Sequence, residues 1–489
     1  MADVLLVNPP YERRHGSGRV QPLGLAYIAA ALEQVGASVA VLDLANELDS
    51  YRLGDDEAAI DSLGTELAGS CPQLIGFGPL VTANLRSTKA LADFARRAGA
   101  GTLVAGGPLC AAPGIEDVVG NYLDIDAYIA GDGEAPIVRF WQVLQDGGDF
   151  AGIPGLGLRG RPPPTPFRQA DLSALPHPAR RLLAVDSRLS VRRSVTGRLA
   201  APAFLSRGCP FACTFCAAPL ASGQRVRRFP VKWIRTELDV CADLGYQELV
   251  FYDDCLFVKS PAMERSIQEF ADAIASSRWS GTYQLELRCD AVVGMSDDAI
   301  GALRDTGCRQ INMGIEKGHA AGMGRLRKKL EPSIATEACH RLACHGVRSA
   351  GTFIIGGPGE DTAEDMRATV DYAIGLDLMF AQFNPMAIYP GTQLYGQVFA
   401  SAPWLDLCLS ERWAPQGDIL WQSKFTSLGQ ILEVVAEGYR AFYNEERERH
   451  SVAGLPEHEH AELRAAYATL RDNRAGSWRL AAQDGTGRA

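Results

Sequence analysis

The sequence predicts an α/β protein in three parts. These are a parallel sheet with helices on both faces over residues 1–150, a partial barrel of six βα units over 200–400, and a helical region over 401–489. Three observations carry this expectation. Short apolar runs alternate with amphipathic helical stretches in both of the first two parts, the signature of parallel sheets. The two series are separated by residues 151–199, a connector rich in Pro, Gly and Arg. Beyond about residue 400 the alternation stops, and Leu428, Ile431, Val435, Tyr439 and Phe442 mark one face of a helix over 427–446.

In the first part, Asp3 to Asn8 reads as a strand stopped by Pro9 and Pro10. Residues 22–36 follow helical spacing and end at Gly36. Strands at 38–42, 74–78 and 101–105 follow, with a helix near 84–98. Glycine-rich phrases mark the strand ends: Gly76-Phe77-Gly78-Pro79-Leu80, Gly106-Gly107-Pro108 and Gly131-Asp132-Gly133-Glu134. Ligands of open α/β sheets sit beyond the carboxyl ends of strands, and glycine lets them approach the backbone. Tight turns alone are the simpler reading of such phrases.

In the second part, strands fall near 201–206, 248–253, 282–288, 310–315, 350–356 and 380–388. Helices fall near 231–244, 261–276, 297–306, 333–345 and 363–376. Six units leave a barrel open on one side, with chemistry at the carboxyl ends of its strands. The C-terminal region holds Trp404, Trp413, Trp421 and Trp478, read mostly as packing anchors, and a final tail read as disordered.

Composition narrows the function. The chain has 489 residues, 47% of them hydrophobic, and a net charge of −10. It is too apolar to be disordered and has no apolar run long enough to span a bilayer. Without a basic tail it is a poor candidate for nucleic-acid binding. The start lacks the features of a signal peptide, so a cytoplasmic, reducing setting is expected. In such a setting clustered cysteines point to metal or catalysis rather than disulfides. Of the twelve cysteines, three are clustered, Cys209, Cys213 and Cys216, in a C-x3-C-x2-C loop directly after the first strand of the second series. Three thiolates hold three irons of a 4Fe–4S cluster and leave the fourth iron open. A zinc site or an electron-transfer cluster would be closed by a further Cys or His. The next cysteine is Cys241, on a helix, and no His lies between His177 and His319.

On these residues the sequence resembles the radical S-adenosylmethionine (SAM) enzymes. Over roughly residues 1–400 it resembles their branch with an N-terminal Rossmann-like cobalamin-binding domain, the class B radical SAM methyltransferase type. The resemblance implies that Cys209, Cys213 and Cys216 hold the cluster, with the aromatic Phe215 before the last of them. It implies SAM contacts at Tyr252, Asp253 and Asp254 after strand two, and at Arg288 after strand three. Glu316 in Gly314-Ile315-Glu316 would accept ribose hydroxyls, and Ile355 and Gly357 in Ile355-Gly356-Gly357-Pro358-Gly359-Glu360 would lie beside the adenine. In the first part it implies cobalamin contacts at Pro10, Leu23, Gly24, Leu80, Thr82, Gly106, Gly107, Gly131, Gly133 and Glu134. The loop Tyr11-Glu12-Arg13-Arg14-His15-Gly16 departs from the Asp-x-His-x-x-Gly motif that supplies a cobalt ligand, so His15 is read as a solvated loop residue.

The implied function is a cobalamin-dependent radical SAM C-methyltransferase acting on an unactivated carbon of a small molecule. The implied electron donor is of flavodoxin or ferredoxin type, with neither nucleic acid nor membrane as a partner. A cyclase or rearrangement enzyme using the same cofactors is the first alternative, and a non-catalytic iron–sulfur or corrinoid sensor is the second. A methylthiotransferase is disfavoured, because residues 1–150 offer only Cys71 and Cys110 for a second cluster. The basic stretches 224–228 and 325–329 are read as solvated surface, and Cys255 as a buried inert thiol.

Overall fold

The computed structural model describes residues 2–11, 20–47, 56–183, 198–360, 362–400, 403–410, 412–414, 417–453, 455 and 457–474. The first sheet contains β1 (Val4–Val7), β2 (Val39–Leu42), β3 (Leu74–Phe77), β4 (Thr102–Gly106), β5 (Ala127–Ile129) and β6 (Leu156–Leu158), in the order β2-β1-β3-β4-β5-β6. The first five strands run parallel, and β6 closes the edge antiparallel to β5. The connector predicted over 151–199 therefore begins with a strand of the first sheet. Its three residues, Leu156, Gly157 and Leu158, are too short for a periodicity to show in the sequence.

Past β7 (Ala200–Ala203), the chain forms a small antiparallel pair, β8 (Ser206–Arg207) with β9 (Arg227–Arg228). It then adds β10 (Glu248–Phe251), β11 (Thr282–Leu287), β12 (Cys308–Glu316), β13 (Arg348–Ile355) and β14 (Phe380–Pro385). The second sheet is wholly parallel in the order β14-β13-β12-β11-β10-β7, a curled partial barrel whose edge strands β7 and β14 are not paired with each other. All six predicted strands are present, with helices between them at Val231–Asp243, Met263–Ala275, Asp297–Asp305, Pro332–Cys344 and Ala363–Gly375. Successive units follow the chain because a right-handed βα crossover returns each strand beside the last.

An open edge strand exposes unpaired backbone groups. At β14 the C-terminal helix Leu428–Phe442 covers them. Tyr443 Oη accepts from Ala381 N at 3.0 Å and donates to Ala381 O at 2.7 Å, and Tyr439 Oη accepts from Phe383 N at 3.3 Å. The segment before that helix bridges the two sheets. Trp421 N bonds Met386 O at 2.9 Å, and Ile388 N bonds Ile419 O at 2.7 Å. Thr82 Oγ1 donates to Asp418 Oδ1 at 2.6 Å, and Trp404 Nε1 to Pro113 O at 2.7 Å. Trp404 and Trp421 are buried, as packing anchors are, while Trp478 and the final tail lie outside the described residues. Among the described residues, no helix is long and apolar enough to cross a membrane.

Candidate active site

The cysteine loop leaves β8 and lies beyond the carboxyl end of β7. Gly208 makes that exit possible. Its φ is +98°, and a Cβ there would run into the Arg225 carbonyl. The loop is then fixed by backbone bonds: Cys209 N to Gly223 O at 3.0 Å, and Thr214 N to Leu326 O at 3.0 Å. Cys209, Cys213 and Cys216 are all half-buried, unlike Cys110, Cys241, Cys289, Cys308, Cys339 and Cys408, which are buried. Cys213 and Cys216 lie within electrostatic reach of Cys209, and Cys216 within reach of Cys213. Among the described residues, no three Cys, His, Asp or Glu side chains converge on a point that would hold a single metal ion.

Acidic residues after β10 grip this loop. Asp253 Oδ1 accepts from Leu205 N at 3.0 Å and Ser206 Oγ at 2.6 Å, and Asp254 Oδ2 accepts from Gly208 N at 3.0 Å. Burial pushes the Asp253 carboxyl up to about 7. Partial enclosure of its carboxylate also raises Asp254, whose residue as a whole is exposed. The next residue, Cys255, is 5% exposed, and its thiol is in hydrogen-bond contact with that of Cys209. The contact holds Cys209 down to about 7 and raises Cys255. A thiol set apart in the sequence as inert therefore touches a candidate cluster ligand.

Cations line the other wall. Arg288 stacks over the Phe211 ring at 3.8 Å and donates to Asp290 Oδ1 at 2.9 Å and Lys328 O at 3.1 Å. Lys328 pairs with Glu316 at 2.8 Å, both buried, and this contact raises its ammonium against the lowering effect of burial. Lys328 also acts on Cys213 by charge. Sequence reasoning treated 325–329 as solvated surface. The structure turns Lys328 inward because Arg327 and Lys329, with φ of +52° and +54°, kink the loop on either side of it.

The end of β13 is shaped from behind. Lys317, fully buried, donates to Ile354 O and Gly356 O at 2.6 Å each and to Glu360 Oε2 at 2.7 Å. Glu360 also accepts from Gly356 N at 2.8 Å and Thr369 Oγ1 at 2.5 Å. Gly357, at φ +105°, turns the loop over Met386. Ile355 is fully buried, so only its backbone is available to a ligand there. Tyr252 and Phe215 are half-buried at the same end of the sheet.

The residues expected at cobalamin divide into two groups. Pro10, Leu23, Gly24, Leu80, Thr82 and Gly106 gather near the carboxyl ends of β1, β3 and β4. Gly24 and Gly106 have open space where a Cβ would stand, as a cofactor lying on the backbone requires. The others are packed. A Cβ on Gly107 would strike the Leu80 backbone, one on Gly131 the Phe167 carbonyl, and one on Gly133 the Ile28 side chain. Glu134 is taken up by Arg207, at 2.5 Å. These four positions also join structural elements, a use that glycine-rich phrases share with ligand contact. His15 lies outside the described residues.

Comparison with known proteins agrees with this arrangement. Residues 204–373 match the profile of the Radical SAM superfamily. An uncharacterized methyltransferase of Pyrococcus horikoshii is 26% identical over 454 residues, covering 90% of this chain and 92% of that protein. The anaerobic magnesium-protoporphyrin IX monomethyl ester cyclase of Synechocystis is 24% identical over 362 residues, covering 72% of this chain and 68% of that one. In fold, the chain superposes on the radical SAM methyltransferase TsrM of Kitasatospora setae, solved with cobalamin and a [4Fe-4S] cluster. The TM-score is 0.67 at 17% identity, over 99% of this chain and all of that one. With the three-cysteine loop at the mouth of a six-stranded parallel sheet, residues 204–373 form a radical SAM domain, the part of this enzyme that works with a 4Fe–4S cluster and SAM.

Proposed function

We propose that this enzyme is a cobalamin-dependent radical SAM methyltransferase that methylates an unactivated carbon of a small molecule. The observation that carries the reading is the meeting of two strand-end faces. The open backbone at Gly24 and Gly106 belongs to the first sheet and the three half-buried thiols to the second, and the segment around Asp418 ties the two sheets together. When bound, the cluster and SAM supply a deoxyadenosyl radical, and cobalamin supplies a transferable methyl group.

The chain's own residues bind, orient and exclude water. Cys209, Cys213 and Cys216 would hold the cluster. Tyr252, Asp254 and Arg288 offer polar contacts for the amino-acid end of SAM. Glu316, Ile355 and Gly357 flank the place for its nucleoside, with Phe215 alongside. Asp253 acts from behind, holding β7 and β8 in register with β10. Pro10, Leu23, Gly24, Leu80, Thr82 and Gly106 form the face for cobalamin. The C-terminal segment closes the open edge and helps choose the substrate.

The relationship to a ring-forming cyclase supports a second reading, cyclisation with the same cofactors. Incubation of the reconstituted enzyme with SAM carrying a deuterated methyl group separates the two. Labelled methyl in the product is expected, and an unlabelled product would favour cyclisation. Cys213→Ala should abolish both the cluster's visible absorption and SAM cleavage.

A further inference from the structure

Two basic segments border the cysteine loop in a chain whose net charge is −10. The Arg225 carbonyl abuts Gly208, next to Cys209. On the other side, Thr214 bonds Leu326 O at 3.0 Å and Arg325 O at 3.4 Å. The second segment alternates. Leu326 and Lys328 are buried, while Arg325, Arg327 and Lys329 are exposed. Arg327 and Lys329 hold positive φ, a conformation that costs a non-glycine residue energy and persists where surrounding contacts impose it. The kinks that send Lys328 in to Glu316 also send the flanking cations out. Arg225 is exposed as well, and so are Pro210 and Ala212 within the cysteine loop. Within the second segment no acid intervenes before Glu331, at the start of the following helix, and among the described residues Arg327 bonds the neutral Gln393 at 3.1 Å, while the exposed Asp254 beside the first segment is held by Gly208 N.

We propose that Arg225, Arg325, Arg327 and Lys329 form the docking rim for an acidic electron-carrier protein of the flavodoxin or ferredoxin class. The inference rests on the reading that Cys209, Cys213 and Cys216 hold the 4Fe–4S cluster. The chemistry is one electron: the reduced carrier is oxidised by one and the cluster reduced by one, with no bond made or broken. Such encounters are brief and small in area, so charge complementarity governs their rate more than buried surface does. A local basic rim on an acidic protein guides an acidic partner to this loop and away from the rest of the surface.

The test follows cluster bleaching in a stopped-flow instrument with the anaerobically reconstituted full chain. Reduced flavodoxin is the donor in one arm and reduced methyl viologen, a small cation, in the other. For the triple variant R325E/R327E/K329E the flavodoxin rate at low salt should fall about tenfold or more, within the range of electrostatic steering. The wild-type rate should fall as salt is added, and the viologen rate should change less than about twofold between proteins. R225E, on the other segment, should slow the flavodoxin arm in the same direction and serves if the triple variant does not load its cluster. A flavodoxin rate that charge reversal and salt leave unchanged overturns the proposal. So does salt-sensitive binding of tRNA to the same residues with no effect on carrier reduction. If the reconstituted wild type binds no iron and sulfide and shows no cluster absorption, the cluster reading itself falls.

Discussion

Glu134 and Arg207 form a two-point ion pair, with Oε1 to Nη2 at 2.5 Å and Oε2 to Nη1 at 3.1 Å, that joins the first sheet to the strand leading into the cysteine loop. Arg207 also reaches Asp132 at 3.3 Å, and Asp132 pairs with Arg227 on the adjoining strand. All four side chains are largely buried. Breaking a buried pair leaves an unpaired charge and typically costs about 3–5 kcal/mol. Glu134→Gln should therefore lower the denaturation midpoint and the iron bound per chain, because Arg207 lies two residues before Cys209. Affinity for hydroxocobalamin, measured by titration of the same preparation, should stay within about twofold. A variant with full iron and weakened cobalamin binding would return Glu134 to the cofactor.

Asp253 makes stability depend on pH in an unusual direction. Burial raises its carboxyl to about 7 in the folded chain, against about 3.9 when unfolded. Between these values the folded state holds a proton that the unfolded state has released. Its contribution to stability is thus complete below the unfolded value and is lost as pH rises through about 7. The limiting slope is about 1.4 kcal/mol per pH unit. Asp253→Asn keeps an oxygen for Leu205 N and Ser206 Oγ and should remove this slope. Denaturant melts at several pH values from about 4.5 to 7.5 compare the two proteins, and equal slopes would exclude Asp253 as the source.

Cys255 touches Cys209, which raises the question of which thiol binds iron. Cys255 is buried and its thiol is raised, whereas Cys209 is half-buried and lowered toward the thiolate that iron requires. Cys255→Ala should keep wild-type iron and sulfide content, and Cys209→Ala should lose most of it. A reversed pattern in the two assays would exchange their roles.

Gly208→Ala places a methyl group against the Arg225 carbonyl and forces a φ of +98° on a residue with a side chain. The conformation alone costs about 1–3 kcal/mol. The expected outcome is a folded chain that reconstitutes poorly, because the nearest relief is to shift Cys209. Far-UV circular dichroism close to wild type with at least a twofold drop in bound iron would show it.

The sequence by itself determined the alternation of strands and helices, the six units of the second sheet and the loop of Cys209, Cys213 and Cys216. Apolar periodicity and close cysteine spacing are local properties, written into neighbouring residues. The tertiary structure decided which charged and glycine residues face a ligand and which join the parts together. Lys328 reads as one of a run of cations until backbone turns on either side bury it against Glu316. Glu134 reads as a strand-end carboxylate until Arg207, 73 residues away, is brought onto it. Asp418 and Thr82 are 336 residues apart and meet only because the C-terminal segment crosses both sheets. Burial and pairing depend on contacts between distant residues, and a single sequence records those partners without recording that they meet.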